Sequence, residues 1–504
     1  MPDVELASEA AQLCDLLCTM NLLAWDARTH MPPGGNTARG HQVATLTALA
    51  RDCAVGPRMR DAIALARDRS DAMDPDERAC LAAFADQVET LRRIPEALLV
   101  EMASLKTTSA VAWIAARKAN DFSLFSPLLG RIFVLQRELA EAIGYAEHPY
   151  DALLGQYEPG MTLTRLQPLF ATLREGIALL LQRLHDVAFP DVLRQPYAIE
   201  GQRRFAAQIA ARLGYDFARG RVDDTIHPFE ISMTRDDVRI TSRFREDFPQ
   251  GGLFALWHEA GHGIYEQNVS ERWTRGIGAI DLINLYAAGG SSFGLHESQS
   301  RLYENRIGRS RQFWELHYGA LRDIFPEQLA GVTVDAFWRS VNAPRRGLIR
   351  VEADELTYDT HIMLRVELEA ALMTGAFAVE DLPALWNERM AQDFGLAVPD
   401  LAHGVLQDVH WSSGHVGSFA TYTLGNIMSS QFFAAAARAP GVSDGLQEGR
   451  YEPLTGWLRQ HVHQHGRSRQ RDRILHDATG SGLDPAPYLA DLRAKTEALL
   501  EVVP

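Results

Sequence analysis

Leu253-Phe254-Ala255-Leu256-Trp257-His258-Glu259-Ala260-Gly261-His262-Gly263-Ile264-Tyr265 is the stretch from which the rest of this chain is read. Leu253, Phe254, Leu256, Trp257, Ala260, Ile264 and Tyr265 recur at helical spacing, and Pro249-Gln250-Gly251-Gly252 breaks the chain just ahead of them. The stretch therefore predicts a buried helix. His258 and His262 stand four positions apart. At about 100° per residue they lie roughly 40° apart around the axis, one turn above the other, so both imidazoles can reach one ion. Glu259 is about 100° from His258, close enough to touch a water on that ion but poorly placed as a ligand. This is the His-Glu-x-x-His arrangement of zinc hydrolases. Chance produces the pattern in roughly one chain of this size in 25, so the apolar helical context adds weight to the motif.

The same helical period runs through most of the sequence. It covers residues 5–24, 37–55, 76–93, 97–119, 127–143 and 166–186. Short breakers separate these runs, and Ser126-Pro127 reads as an N-cap followed by proline at the first helical position. One segment departs. Phe229, Ile231 and Met233 alternate with Glu230 and Ser232; Val238, Ile240 and Ser242 alternate with Arg239, Thr241 and Arg243 around a polar turn. Period two predicts a small β-hairpin just upstream of the His258 helix, where its edge can line a cleft. After Gly252 the pattern returns to long helices. No repeat, low-complexity tract or long linker marks a boundary. The prediction is a mostly α fold: one large domain over 1–504, with a hairpin or small sheet near the metal site.

Composition narrows the function. The chain has 504 residues, 46% hydrophobic and 23% charged, which is ordinary for a globular protein. Fifty basic against 65 acidic residues give a formal charge of -15, and no basic stripe stands out. Nucleic acid is therefore a poor partner. No window approaches the roughly 20 uninterrupted apolar residues of a membrane span, and the N-terminus lacks the basic leader of a secretory signal. Cys14, Cys18, Cys53 and Cys80 are too few for a disulfide scaffold. They read as reduced thiols, with Cys14 and Cys18 at i,i+4 the one pair spaced for a metal or redox role. Cytoplasm is the expected compartment.

Two histidines leave a tetrahedral ion short of one protein ligand and one open position. Leu295-His296-Glu297-Ser298-Gln299-Ser300-Arg301 supplies the strongest candidates. Spacing alone does not choose among His296, Glu297 and Glu304, and Glu297 can equally pair with Arg301 at i,i+4.

With these motifs in view the chain resembles the carboxypeptidase Taq family of metallocarboxypeptidases over nearly its whole length. The likeness rests on Trp25-Asp26 with Met31-Pro32-Pro33-Gly34, on Tyr150 to Leu154 with Tyr157 to Met161, and on His227-Pro228-Phe229. Asp237-Val238-Arg239-Ile240-Thr241, His258 to His262, His296-Glu297-Ser298, Ile349 to Asp354 and Gly404 to Gln407 follow in the family's order. The resemblance implies Glu297 as third ligand, a helical fold with a deep groove, and a homodimer. It implies His227, Asp237 and Gln407 as cleft residues. Two departures bear on substrate preference. Residues 267–294 look longer than the family's loop, and Gly417-Ser418-Phe419-Ala420 stands where the family shows Gly-Tyr-Phe-Pro.

The expected activity is release of single C-terminal residues from peptides, with one divalent ion per chain: zinc first, cobalt or manganese as alternatives. Glu259 is the expected general base, and His410 or Tyr422 the donor to the developing oxyanion. A carboxypeptidase must also hold a free carboxylate, which the planar fork of arginine does with two hydrogen bonds. Arg350 and Arg239 are the candidates. Arg350 has a structural alternative in Asp354 at i,i+4, and Asp354, Tyr358, His361 and Arg365 fall on one helical face that can position it. A helical endopeptidase without a carboxylate clamp is the second reading, and a binding protein with an inert metal site is the third.

Overall fold

Each run of helical periodicity between residues 5 and 186 forms a helix in the computed structural model, which describes residues 4–501. They are Val4–Thr29, Asn36–Val55, Pro75–Arg93, Glu96–Ala119, Ser126–Ile143 and Leu163–Arg183. One end differs from expectation. Ser126 is the first helical residue and Phe125 takes the cap position without a side-chain hydrogen bond; Pro127 keeps its place in the first turn, where its missing N–H is harmless. Glu96–Ala119 is long and apolar enough to cross a membrane, with mean hydropathy 1.2. It carries Glu101 and Lys106, and Ser109 and Trp113 tie it to the carbonyls of Ser412 and Leu406.

The hairpin forms as β2 (Glu230–Thr234) antiparallel to β3 (Asp237–Ser242). A third strand, β1 (Gly220–Asp224), lies parallel to β3 and gives the order β1-β3-β2. Its sequence, Gly-Arg-Val-Asp-Asp, has almost no apolar alternation, which hides it from a periodicity reading. Two further strands of two residues each, β4 (Ile280–Asp281) and β5 (Tyr286–Ala287), pair within the 267–294 segment.

Contacts divide the chain into two compact units, each built from three separate stretches. The first comprises Met1–Leu91, Ala188–Val341 and Gly425–Tyr488; the second comprises Arg92–Val187, Asn342–Leu424 and Leu489–Pro504. The first holds both sheets and the His258 helix. That helix is Pro249–Gln267, so Gly251 and Gly252 lie in its first turn rather than ahead of it. Phe254 and Trp257 anchor one face in an aromatic cluster, with ring centroids 5.2 Å from each other and Trp257 5.2 Å from Phe313. On another face Gly261 lets a second helix, Phe293–Arg301, come close. A Cβ at this position would stand 2.6 Å from Ser300 Cα and 2.7 Å from the Gln299 carbonyl, so any side chain forces the two helices apart.

Candidate metal centre

That close approach is what carries Glu297 to the histidines. Its Oε2 lies 3.4 Å from His258 Nε2 and 3.3 Å from His262 Nε2. A tetrahedral ion with ligands about 2.0–2.1 Å away spaces its donors about 3.3–3.4 Å apart, so the donor set fits one such ion. Among the described residues, His258, His262 and Glu297 form the one group of three or more potential ligands that converges this way. Gly425 opens the far side, since a Cβ there would stand 2.5 Å from Glu297 Cγ.

The other two candidates for the third ligand sit behind the imidazoles. Glu304 Oε2 is 2.9 Å from His258 Nδ1. His296 Nδ1 is 2.5 Å from His262 Nδ1, and its Nε2 faces Glu266 Oε1 at 2.9 Å. Such partners orient a ligating imidazole and fix its tautomer. Glu304 arrives through a π-helical turn, Leu302–Gly308, which continues the Glu297 helix. Arg301 bonds Glu297 Oε1 at 2.7 Å and Glu304 Oε2 at 3.2 Å, and Arg309 bonds Glu304 Oε1 at 3.2 Å. The i,i+4 pairing of Glu297 with Arg301 is thus present, through the carboxylate oxygen turned away from the histidines.

The electrostatics suit a cation. Burial works against charge on His258, but Glu297 and Glu304 overcome it and raise its pKa to about 10. Burial lowers His262 to about 3, with His296 and His258 adding to the effect. Burial would raise Glu297, yet His258 and Arg301 hold it well below the usual carboxylate range. Without an ion the site thus favours a proton on His258, held between Glu297 and Glu304; a divalent ion at the Nε2 side would bind with both imidazoles neutral. Glu259 is buried and makes none of these contacts. Burial pushes it up to about 7, with His258 opposing and Glu297 and Glu304 reinforcing. Glu230, at the start of β2, is pushed up to about 8 by burial, with His296 opposing and Glu266 and Glu259 adding to the rise. Sequence reading missed Glu266 and Glu230; only the placement of Glu230 on the alternating strand hinted at it.

The second unit gathers another set. Arg350 is buried and gives its Nε and Nη2 to Asp408 Oδ1 at 3.0 and 2.8 Å and its Nη1 to Tyr358 OH at 3.0 Å. Asp354 is not its partner. Asp354 precedes the helix Tyr358–Thr374 and accepts from the backbone N–H groups of Arg345, Leu356 and Thr357, so it is not on one helical face with Tyr358, His361 and Arg365. Arg365 also bonds Asp408, at 2.7 Å. Gln407 Oε1 accepts from Arg350 N–H and Arg365 Nη2 at 2.9 and 2.8 Å. Two guanidiniums thus share one carboxylate, leaving the cluster with surplus positive charge. His410 Nε2 is 3.3 Å from Tyr422 OH; burial, reinforced by Arg350, lowers His410 to about 3 and keeps it neutral. Asp408, the centre of this cluster, was missed because one carboxylate in a loop has no pattern. Back in the first unit, Arg239 forks onto Asp237 at 2.8 and 2.8 Å and lies 4.2 Å from the centre of the Trp25 ring. His227 is exposed between β1 and β2.

A helix-borne His-Glu-x-x-His closed by a glutamate from a following helix defines a metallopeptidase. The profile of the carboxypeptidase Taq (M32) metallopeptidases matches residues 5–496, and the chain belongs to that family. It is 40% identical to thermostable carboxypeptidase 1 of Thermus thermophilus, covering 98% of each chain. It is 36% identical to carboxypeptidase 1 of Bacillus subtilis, covering 93% of each. Its fold superposes on the crystal structure of an M32 carboxypeptidase from Deinococcus radiodurans with TM-score 0.93, at 38% identity over 98% of both chains. The protein is a metallocarboxypeptidase acting on peptides, with a divalent ion implied by its family.

Proposed function

We propose that this enzyme releases single amino acids from peptide C-termini, with His258, His262 and Glu297 holding the ion and Glu259 as general base. The observation that carries the reading is Glu297 Oε2 lying 3.3–3.4 Å from both imidazole Nε2 atoms, with all three donors converging, beside a buried Glu259 that has no hydrogen-bond partner among the described residues and whose pKa burial pushes up to about 7. When bound there, a divalent ion, zinc by preference for this His/His/Glu set, would supply Lewis acidity and an activated water as nucleophile. Glu259 accepts the proton lost from the attacking water and hands it to the leaving amine. Its raised pKa suits both halves of that transfer, since neither form is strongly favoured near pH 7. Glu304 and His296 keep the two imidazoles turned with Nε2 inward. Tyr422, paired to a neutral His410, is the proposed donor to the oxyanion, and Arg350 the proposed clamp on the terminal carboxylate. The surplus charge around Asp408 supports the latter role. His227, Asp237, Arg239 and Gln407 are assigned to shaping the substrate site, with the Asp237–Arg239 fork and the Gln407 bridge as positioning contacts.

The two compact units are proposed to work as one domain, because each is threaded from three stretches and neither can be cut out as a contiguous piece. A cytoplasmic homodimer is the proposed working form. Glu259→Gln tests the mechanism. The variant should keep its ion and lose turnover by a factor of roughly 10²–10⁴ or more. Near-normal turnover in the metal-loaded variant would remove Glu259 from the reaction.

A further inference from the structure

The helix Val4–Thr29 sets Cys14 and Cys18 one turn apart, and their Sγ atoms lie 3.9 Å from each other. Cys14 is buried and Cys18 half-buried. Both residues line a cavity of about 300 Å³, together with β2 and the 267–294 segment. The Met233 carbonyl, on β2, accepts the Cys18 S–H at 2.7 Å and fixes the direction of that sulfur. Buried cysteines behave as small hydrophobes where they pack into a filled core. These two instead meet at the wall of a cavity, where a ligand has room.

Two carboxylates reach the same cavity, and both are already held. Glu266 accepts from the backbone N–H groups of Gly289 and Gly290 at 2.9 and 2.7 Å and faces His296 Nε2 at 2.9 Å. Asp15 is forked by Arg275 at 2.9 and 2.8 Å. The sulfurs are therefore the strongest available ligands on this wall, which selects against hard ions such as Mg²⁺ and Ca²⁺. Spacing decides between a metal and a disulfide. Residues four apart on a helix hold their Cβ atoms about 5–6 Å apart, whereas a disulfide needs about 3.5–4.5 Å. Two thiolates bound at about 2.3 Å to a tetrahedral ion stand about 3.8 Å apart, close to the 3.9 Å observed.

We infer that Cys14 and Cys18 form a second metal site, for a soft, thiolate-preferring ion of the Zn(II), Cd(II) or Cu(I) class. Each thiol gives up its proton to solvent as the ion binds, and water in the cavity completes the coordination. The site differs from the catalytic centre in its ligands: sulfur here, imidazole and carboxylate there. Glu266 is the wall that the two share, since it lines this cavity and backs His296, whose Nδ1 meets His262 Nδ1 at 2.5 Å. The inference stands independently of the proposed carboxypeptidase mechanism.

The probe is Cd(II), added to reduced full-length enzyme whose catalytic centre is already loaded with zinc. Cadmium bound to thiolate gives a charge-transfer band in the ultraviolet; the His/His/Glu centre has no sulfur and gives none. Wild type should show this band saturating at about one ion per chain, with about two protons released per ion and no competition from excess Mg²⁺ or Ca²⁺. Cys14→Ser and Cys18→Ser should each weaken binding at least about a hundredfold, beyond what loss of an outer partner of a ligand costs. Cys53→Ser/Cys80→Ser removes the two thiols outside the cavity and should leave the band intact. Circular dichroism checks each fold, and Cys18→Ser, at the half-buried position, carries the test if Cys14→Ser unfolds. The inference is overturned by absence of the band in wild type with the ion in excess, or by a band of full strength in Cys18→Ser.

Discussion

Glu304 touches no substrate in the proposed chemistry, yet replacing it should loosen the metal. Its Oε2 accepts from His258 Nδ1 at 2.9 Å and fixes the tautomer that points Nε2 at the ion. Replacing such a partner typically lowers metal affinity 10–100-fold, about 1.4–2.7 kcal/mol. The structure divides that range between two variants. Glu304→Gln keeps an acceptor for Nδ1 and loses only the charge, so it should fall near tenfold. Glu304→Ala also strips Arg301 and Arg309 of the acceptor each holds at 3.2 Å. Arg301 then draws more strongly on Glu297, which it already bonds at 2.7 Å, and weakens that ligand as a donor. The alanine variant should therefore approach a hundredfold. The assay is metal content after dialysis against buffers of graded free-ion concentration, with circular dichroism confirming the fold. If both variants bind the ion like wild type, the hydrogen bond to His258 does nothing for the metal and the proposed geometry is wrong.

Two further outcomes follow from packing and charge. Gly261→Ala should cost about 1–3 kcal/mol of stability and loosen the ion as well, because the new Cβ meets Ser300 and the Gln299 carbonyl at 2.6–2.7 Å and pushes Glu297 away; a melting curve and metal content read both, and an unchanged Tm would contradict the close approach. Asp408→Asn should cost about 3–5 kcal/mol at neutral pH, since it leaves Arg350 and Arg365 buried without their carboxylate. Burial alone would raise the pKa of Asp408, but the two guanidiniums hold it below the unfolded value of about 3.9. Its contribution is thus complete above about pH 4–5 and is lost as pH falls toward the folded pKa. The stability gap between wild type and variant should accordingly shrink below about pH 4, and a gap that widens in acid would refute the assignment.

The helices were legible because apolar residues repeat at helical spacing, and the β2–β3 pair because Phe229 to Met233 and Val238 to Ser242 alternate. Strand β1 was not, since Gly220 to Asp224 pairs through backbone bonds that its polar side chains do not advertise. His258, Glu259 and His262 were legible because one helix sets their geometry. His296, Glu297 and Glu304 could be named but not ranked from spacing, and only the family resemblance pointed to Glu297; which of them faces the open side of the imidazoles depends on the close approach at Gly261 and on the π turn after Arg301. Arg350 was assigned the wrong structural partner. The i,i+4 rule presumes one continuous helix, whereas Arg350 sits in a short 3₁₀ turn and finds Asp408 across a loop.

The most direct measurement of the proposed activity uses purified enzyme, a blocked dipeptide with a free C-terminus and the same peptide amidated, each with and without a chelator. The metal centre together with a carboxylate clamp predicts release of the terminal residue from the free peptide only, abolished by the chelator and restored by adding back a divalent ion. Equal cleavage of the amidated peptide, or cleavage that survives complete removal of metal, would contradict a metal-dependent carboxypeptidase.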